Sequence, residues 1–260
     1  MHQKSILFDI LDSFFDKIYI ITLKRSSKRH AAFQKSLNGL NYEVFWGVDG
    51  NNLSLSDLED SGLYSSEAVK SVKRQKKCPP ADLTHGMIGC TLSHLSLHKQ
   101  MIERGEDRVL ILEDDIRIEG YNIAAFEKAI EQLPDNWELF YLGYLYNNNS
   151  LTLSAKLRIK FAYPILNLLG FSQYNAKRYR CKYPRNYSTH LDLSGYHYGA
   201  HAYGITKEGA GKILEHQTPI SMEIDNAIGE MCMREQIAAY SLKDRIIHQN
   251  REMFDSMTAS

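Results

Sequence analysis

The stretch Arg108-Val-Leu-Ile-Leu-Glu-Asp-Asp-Ile-Arg-Ile-Glu119 decides how this chain is read. Val109 to Leu112 is an unbroken run of strand-favouring apolar residues, suited to a strand buried on both faces. It ends on three consecutive carboxylates, Glu113, Asp114 and Asp115. Open α/β sheets place their ligands at the carboxyl ends of such strands. Three adjacent acids repel one another unless they are solvated or neutralised, and hard divalent cations take oxygen ligands of this kind. From these residues alone two readings stand, a solvated loop after a strand and a cation or ligand site.

Working outward on the amino-terminal side, Lys17-Ile-Tyr-Ile-Ile-Thr-Leu23 reads as a first buried strand, followed by a basic turn with Lys24, Arg25, Lys28 and Arg29. A helix from about Ser27 to Leu37 closes at Gly39, and Tyr42 to Val48 is a second strand ending in the turn signal Asp49-Gly50. Strand, helix and strand at this spacing form a βαβ unit and argue for a parallel sheet. Residues 51–83 read as a long exposed loop with one short helix at Ser54 to Glu59. The next helix opens at Leu83-Thr-His-Gly-Met-Ile-Gly-Cys-Thr-Leu-Ser-His-Leu95 and stops at Gly105, with Ser93 and His94 in mid-helix. A lone mid-helix histidine is usually a satisfied packing residue, the other reading being a site residue.

On the carboxyl-terminal side, Asn122 to Leu133 reads as a helix and Trp137 to Gly143 as a strand. Residues 151–187 then carry eight lysines and arginines and no acidic residue, around the apolar stretch Phe161 to Phe171. That composition suits either an anionic membrane surface or an ordinary solvated insertion. A strand at His201 to Ile205 and a helix at Glu208 to His216 follow. Glu223 and Asp225 then stand at the start of a helix running to Met233, where an Asp can also serve only as a cap. Final strands fall at Ile237 to Leu242 and Arg245 to His248.

The whole composition sets limits. The chain has 260 residues, 43% hydrophobic and 24% charged, with a formal net charge of +0 and mean hydropathy −0.38. A neutral balance makes no electrostatic case for nucleic acid. Four scattered cysteines lack metal-ligand spacing and read as reduced thiols. No apolar run reaches transmembrane length, and Asp9 and Asp12 interrupt the amphipathic start, so the expected setting is cytoplasmic, with possible peripheral attachment to the inner face of the cell membrane.

Together these segments resemble glycosyltransferase family 25, the lipopolysaccharide-biosynthesis and collagen galactosyltransferase group. The resemblance rests on IYIITLKRSSKR, on Val48-Asp49-Gly50, on IGCTLSHL, on LILEDD, on GAHAYGITKEGAGKIL with Pro219 and Asp225 behind it, and on Gln249, in that order over about residues 17 to 250. It implies one α/β domain over residues 1–260, a GT-A-like nucleotide-binding sandwich with a mostly parallel central sheet, and a variable basic insertion near 151–190. It also implies a metal-dependent inverting transfer of a hexose, most often galactose from UDP-galactose, to a glycan or glycolipid acceptor of lipopolysaccharide type. The alternatives are a collagen-type hydroxylysine galactosyltransferase and a non-catalytic sugar-nucleotide or glycan-binding module. By the same resemblance Asp115, Glu113 and His248 would hold Mn2+ or Mg2+. Arg25, Arg29, Ser93, His94, Glu113 and Asp114 would contact the donor. Asp225, with Glu223 second, would be the catalytic base, since an acceptor hydroxyl needs one in line with the leaving group.

Overall fold

The computed structural model describes residues 2–76, 83–145, 152–170 and 175–250. It opens with α1 (His2–Phe14), β1 (Lys17–Thr22), α2 (Ser27–Ser36) and β2 (Glu43–Trp46). Next come α3 (Leu55–Asp60), α4 (Ser66–Lys76), α5 (His85–Arg104), β3 (Arg108–Glu113), β4 (Ile116–Ile118), α6 (Ile123–Gln132) and β5 (Leu139–Leu145). The insertion forms α7 (Leu153–Leu157), a π-helical turn (Arg158–Ala162), α8 (Tyr163–Leu168) and α9 (Ala176–Cys181). The chain closes with β6 (Arg185–Asn186), β7 (Leu191–Leu193), β8 (Tyr198–Thr206), α10 (Lys207–Gln217), α11 (Ile224–Met233), β9 (Ala239–Leu242) and β10 (Ile247–Gln249).

Eight strands form one sheet in the order β2-β1-β3-β8-β5-β9-β7-β6, and β10 pairs with β4 beside it. Of the eight, β8 and β7 run against the other six, so the sheet is mixed but mostly of one direction. The chain steps from β1 outward to β2 and then returns to the other side of β1 for β3. This reversal leaves a crevice beyond the carboxyl ends of β1 and β3, the usual ligand position in an open α/β sheet.

Strand alternation distributes the core over both faces. Leu110 and Leu112 of β3 pack with Ile18, Ile20, Phe33, Leu37 and the apolar residues of α1 and α6. Val109 and Ile111 pack with Tyr19, Ile21, Tyr203 and the inner faces of α5, α10 and α11. The same parity carries past the end of the strand. Glu113 turns towards α5, where His94 lies, and Asp114 turns towards α2, where Arg29 lies.

Helix α5 is well delimited. Thr84 Oγ1 accepts the amide of Met87 at its start, and Gly105 closes it in the left-handed region at φ 70°. Residues 51–83 differ from the long loop that was expected. Among those described, a 3-10 turn (Gly50–Asn52), α3 and α4 occupy most of the segment. The capping signals are local: Ser54 Oγ accepts the amide of Asp57, and Ser65 Oγ that of Ala68. Charged, polar helices with a narrow apolar stripe (Leu55 and Leu58 in α3, Val69 in α4) resemble loop by composition. Residues 77–82, at the end of that expected loop, lie outside the described residues.

Gly89 sets how closely α5 approaches the β2 connection. A Cβ on Gly89 would lie 2.8 Å from the carbonyl oxygen of Val48 and 2.9 Å from the amide nitrogen of Gly50. Both contacts are backbone, which cannot rotate aside. Gly89→Ala should therefore cost about 1–3 kcal/mol through overpacking, partly offset by up to ~1 kcal/mol of helix propensity. Thermal unfolding should show a drop of several degrees, and a melting point equal to wild type would mean that the 48–50 segment yields freely.

Candidate functional site

One cavity at the switch point is lined by Thr22 and Leu23 after β1, by Arg25 and Arg29, and by Val48 to Asn51. Cys90, Thr91, Ser93 and His94 of α5 line it too, with Glu113 to Asp115, Gly199 and Ala200, and Glu223 to Asp225. Every site residue expected from the sequence lies there except His248, and Gln249 is present in its place.

Asp114 is the most engaged of the three acids. It is 3% exposed, accepts from Arg29 NH1 at 2.7 Å and accepts from the hydroxyl of Thr22. Arg29 NH1 also lies 3.5 Å from Asp115. Arg29 is thus a buried counter-ion for the acidic cluster, and Asp114 ties β1, α2 and β3 together. Both residues line the cavity where a donor contact was expected, and their mutual pairing gives them a positional role as well.

Asp115 is buried differently. Gln249 Nε2 donates to its Oδ2 at 3.1 Å, while its Oδ1 is buried without a partner. Burial, reinforced by Glu113, pushes its pKa up to about 7 despite Arg29. A buried carboxylate oxygen without a hydrogen-bond donor, next to a second carboxylate, is a chemically suitable place for a hard cation.

Glu113 lies 3.6 Å from Nε2 of His94. Burial raises its pKa, but the neighbouring imidazole and Arg29 outweigh that and hold it below the ordinary value. The sulfur of Cys90, Nε2 of His94 and a Glu113 oxygen can all lie within 4.8 Å of one another, a possible metal triad. Cys90 stands one helical turn before His94, a spacing that was legible in IGCTLSHL. Burial, with Glu113 and Asp225 nearby, keeps its thiol far above the usual range.

Behind His94, the Tyr203 hydroxyl sits 2.9 Å from its Nδ1 and 2.9 Å from Nε2 of His98. Burial lowers His98 to about 3, so that ring is neutral, and its Nδ1 has no partner. One hydroxyl proton serves two rings. If Tyr203 donated to His98, a buried Nδ1–H would be left unpaired, and orphaned donors are rarer than orphaned acceptors. The order His98 Nε2–H to Tyr203 to His94 Nδ1 avoids this. It puts the His94 ring proton on Nε2, which makes no hydrogen bond but faces the Glu113 carboxylate at 3.6 Å. A cation taken by His94 would require the chain to reverse, so Glu113 and Asp115 are the better-suited pair.

Ser93 also has its hydrogen bonds committed. Its hydroxyl donates to Gly89 at 2.6 Å and accepts the amide of Val48 at 2.8 Å, fixing α5 to the β2 connection. Arg25 at the rim holds Asp49 at 2.6 Å and keeps that carboxyl below its ordinary range. At the far wall, Thr91 Oγ1 accepts the amide of Ile224 and sets the start of α11. Asp225 is not a simple cap. Its Oδ2 accepts from the amide of Gly199 at 2.9 Å and its Oδ1 from the amide of Asn226 at 2.6 Å. Glu223 accepts from Asn226 Nδ2 at 2.6 Å. Burial raises both pKa values, and Asp225 adds to the rise of Glu223.

His248 needs a correction. In β10, which pairs Gln249 with Ile116 and His248 with Arg117, successive side chains alternate. Gln249 therefore points to Asp115, while His248 belongs with Arg245, Glu119 and Arg117, and burial and Arg245 lower its pKa. The sequence reading also missed Thr22, His98 and Tyr203, whose roles depend on contacts across the sheet.

Fold and cavity together define an α/β protein with a mixed, mostly parallel central sheet and an acid-lined cleft at the ends of its central strands. The chain belongs to glycosyltransferase family 25 (LPS biosynthesis protein), whose model matches residues 15–228. It is 33% identical over 138 residues to human "Procollagen galactosyltransferase 2", a match covering 50% of this chain and 21% of that protein. A "Glycosyltransferase 25 family member" of Anopheles gambiae is 29% identical over 212 residues, covering 78% of this chain and 29% of the relative. Human "Inactive glycosyltransferase 25 family member 3" is 31% identical over 134 residues, covering 50% and 22%. The chain thus matches under a third of the length of these relatives. Among solved structures, mouse xyloside xylosyltransferase 1 in apo form aligns with TM-score 0.38 at 11% identity, over 85% of this chain and 69% of that one.

The raised pKa of Asp115 has a signed consequence. An acid whose folded pKa lies above its unfolded value of about 3.9 imposes no penalty below that value. The penalty then grows with pH and is complete above the folded value of about 7. In chelator, Asp115→Asn should leave the melting temperature at pH 4 nearly unchanged and raise it at pH 8, by roughly 1–2 kcal/mol of stability. Equal melting at pH 8 would show that Asp115 ionises freely in the folded protein.

Proposed function

We propose that this chain is a metal-dependent inverting hexosyltransferase, taking galactose from UDP-galactose to a glycan acceptor of lipooligosaccharide type. The observation that carries this reading is that Glu113 and Asp115 share one cavity with Asp225 and Glu223 in a family 25 chain. The two acidic pairs suit two tasks, since one can face a diphosphate through a cation and the other can accept a proton.

Glu113 and Asp115 would hold Mn2+ or Mg2+, which supplies electrostatic stabilisation of the departing diphosphate. Arg25 adds positive charge at the rim. Asp225 takes the proton from the acceptor hydroxyl as the acceptor oxygen bonds to the anomeric carbon. The bond from that carbon to the diphosphate oxygen breaks with its electron pair, so the configuration inverts. The amides of Gly199 and Asn226 fix the orientation of Asp225. Its raised pKa makes the ionised form a stronger proton acceptor than an exposed aspartate. Glu223, steadied by Asn226, is the second candidate.

A screen of nucleotide sugars with Mn2+ tests this directly. UDP-galactose should be consumed and, as a ligand of the native state, should raise the melting temperature. Asp225→Asn should lower kcat by about 10²–10⁴-fold while stabilisation by UDP and Mn2+ persists. The acid limb of the kcat profile should lie above the ordinary carboxylate range, because activity is lost as pH falls through the raised pKa of Asp225. Asp115→Asn should abolish the Mn2+-dependent part of the stabilisation; unchanged turnover in that variant would remove the metal assignment.

The names of the relatives support two further readings. Transfer to a hydroxylysine-containing collagen peptide, with none to a lipooligosaccharide acceptor, would establish the collagen-type activity. Stabilisation by UDP-sugar without consumption of any donor would instead establish a non-catalytic binding module.

A further inference from the structure

Seven of the eleven large hydrophobic side chains exposed on the described residues lie between Leu153 and Leu169. That concentration is a patch and not ordinary scatter. Leu153, Leu157, Phe161 and Ile165 recur every four residues, and Leu168 and Leu169 continue the series; Leu153 is 73% and Leu168 86% exposed. In a pure α-helix a four-residue spacing drifts by about 40° per step. The wider π turn at Arg158–Ala162 sits in the middle of the series and takes up that drift, keeping the residues on one stripe. Among the described residues, buried Ala155 and Tyr163, stacked on Tyr179 at 3.6 Å, anchor the inner side.

Charge identifies the occupant. Lys156 and Lys160 each stand one residue before Leu157 and Phe161, and Arg158 lies between them. None of the three is paired to a carboxylate among the described residues, and residues 151–187 contain no acid at all. Two cations of α9 are different. Lys177 and Arg178, with Arg185, converge on Glu235 at 3.0, 4.0 and 3.1 Å, so these side chains are directed onto the protein, where the one carboxylate offsets one of the three charges. Two copies meeting through the apolar stripe would set cations against cations. An anionic bilayer accepts both features, with the apolar face sunk at the headgroup boundary and lysines extending to the phosphates. No helix of the described residues is long and apolar enough to cross a membrane.

We propose that the outer face of α7, the π turn and α8 docks on an anionic lipid bilayer, with Leu157, Phe161, Ile165 and Leu168 inserted and Lys156, Arg158 and Lys160 on the headgroups. The contact is narrower than the whole basic stretch and excludes the Glu235 cluster. It does not depend on which donor or acceptor the cavity takes.

Sedimentation with phosphatidylcholine vesicles containing about a third phosphatidylglycerol tests it. The full chain should pellet with these vesicles and be left behind by pure phosphatidylcholine. Changing Leu157, Phe161 and Leu168 together to Ser should weaken binding by at least about tenfold, with melting temperature and circular dichroism unchanged, since the side chains are exposed. Lys156→Gln with Lys160→Gln should weaken it by about fivefold per charge removed. Lys177→Gln, within the Glu235 cluster, should have little effect. Equal binding to neutral vesicles, or triple-variant binding equal to wild type, overturns the proposal. So does an oligomer that the triple variant dissolves while vesicle binding persists, which would assign the face to a second copy. Vesicle binding is read without turnover, so its failure is distinct from failure of the transferase reading.

Discussion

The grip of Arg29 on Asp114, with Thr22 on the other carboxylate oxygen, is the constraint on which this site depends. Parallel β1 and β3 end side by side, and two adjacent aspartates at that point would otherwise be buried like charges. One guanidinium from the first turn of α2 answers both. Such a buried pair is weak evidence for net stability, because desolvation consumes much of the Coulombic gain. Its effect is specificity of place: losing one partner would leave an uncompensated charge where strand, turn and helix meet. With Asp114 committed, the open oxygen of Asp115 and the carboxylate of Glu113 are left facing the cavity.

Helix α5 carries the second half of the arrangement by meeting a different element at each turn. Gly89 permits backbone contact with the β2 connection, and Ser93 bonds to it. Thr91 places the first amide of α11, and thereby Asp225. His94 faces Glu113 with its proton position set by Tyr203 from the sheet and His98 one turn along the same helix. These polar residues are buried inside an apolar helix–sheet interface, where unmet hydrogen bonds are costly, so their partners fix the register between helix and sheet. The insertion, in contrast, presents an apolar side outward.

Much was legible in the sequence because it depends on local chemistry. Apolar runs marked β1 and β3, Gly105 ended α5, and consecutive acids after a buried strand announced a polar site. Motif order pointed to the family. Other features misled for equally physical reasons. The charged composition of α4 imitates a loop, because a short helix with one narrow apolar stripe leaves little periodic signal. His248 looked like a ligand by position, but a strand turns adjacent side chains to opposite sides, and one residue of register gave the place to Gln249. The pairing of Asp114 with Arg29 was not legible, because it depends on how α2 packs against the end of β3.

By itself, then, the sequence determined which residues could bear charge and roughly where strands and helices begin, since propensity, capping and alternation act over a few residues. Tertiary structure decided which acids remain available. Glu113, Asp114 and Asp115 are chemically similar neighbours, and only the elements packed on each face of the sheet distinguish them: α5 meets the first, α2 neutralises the second, and β10 leaves one oxygen of the third open. Burial and the position of counter-charges come from residues distant in the chain, and it is these that set the chemistry of a carboxylate.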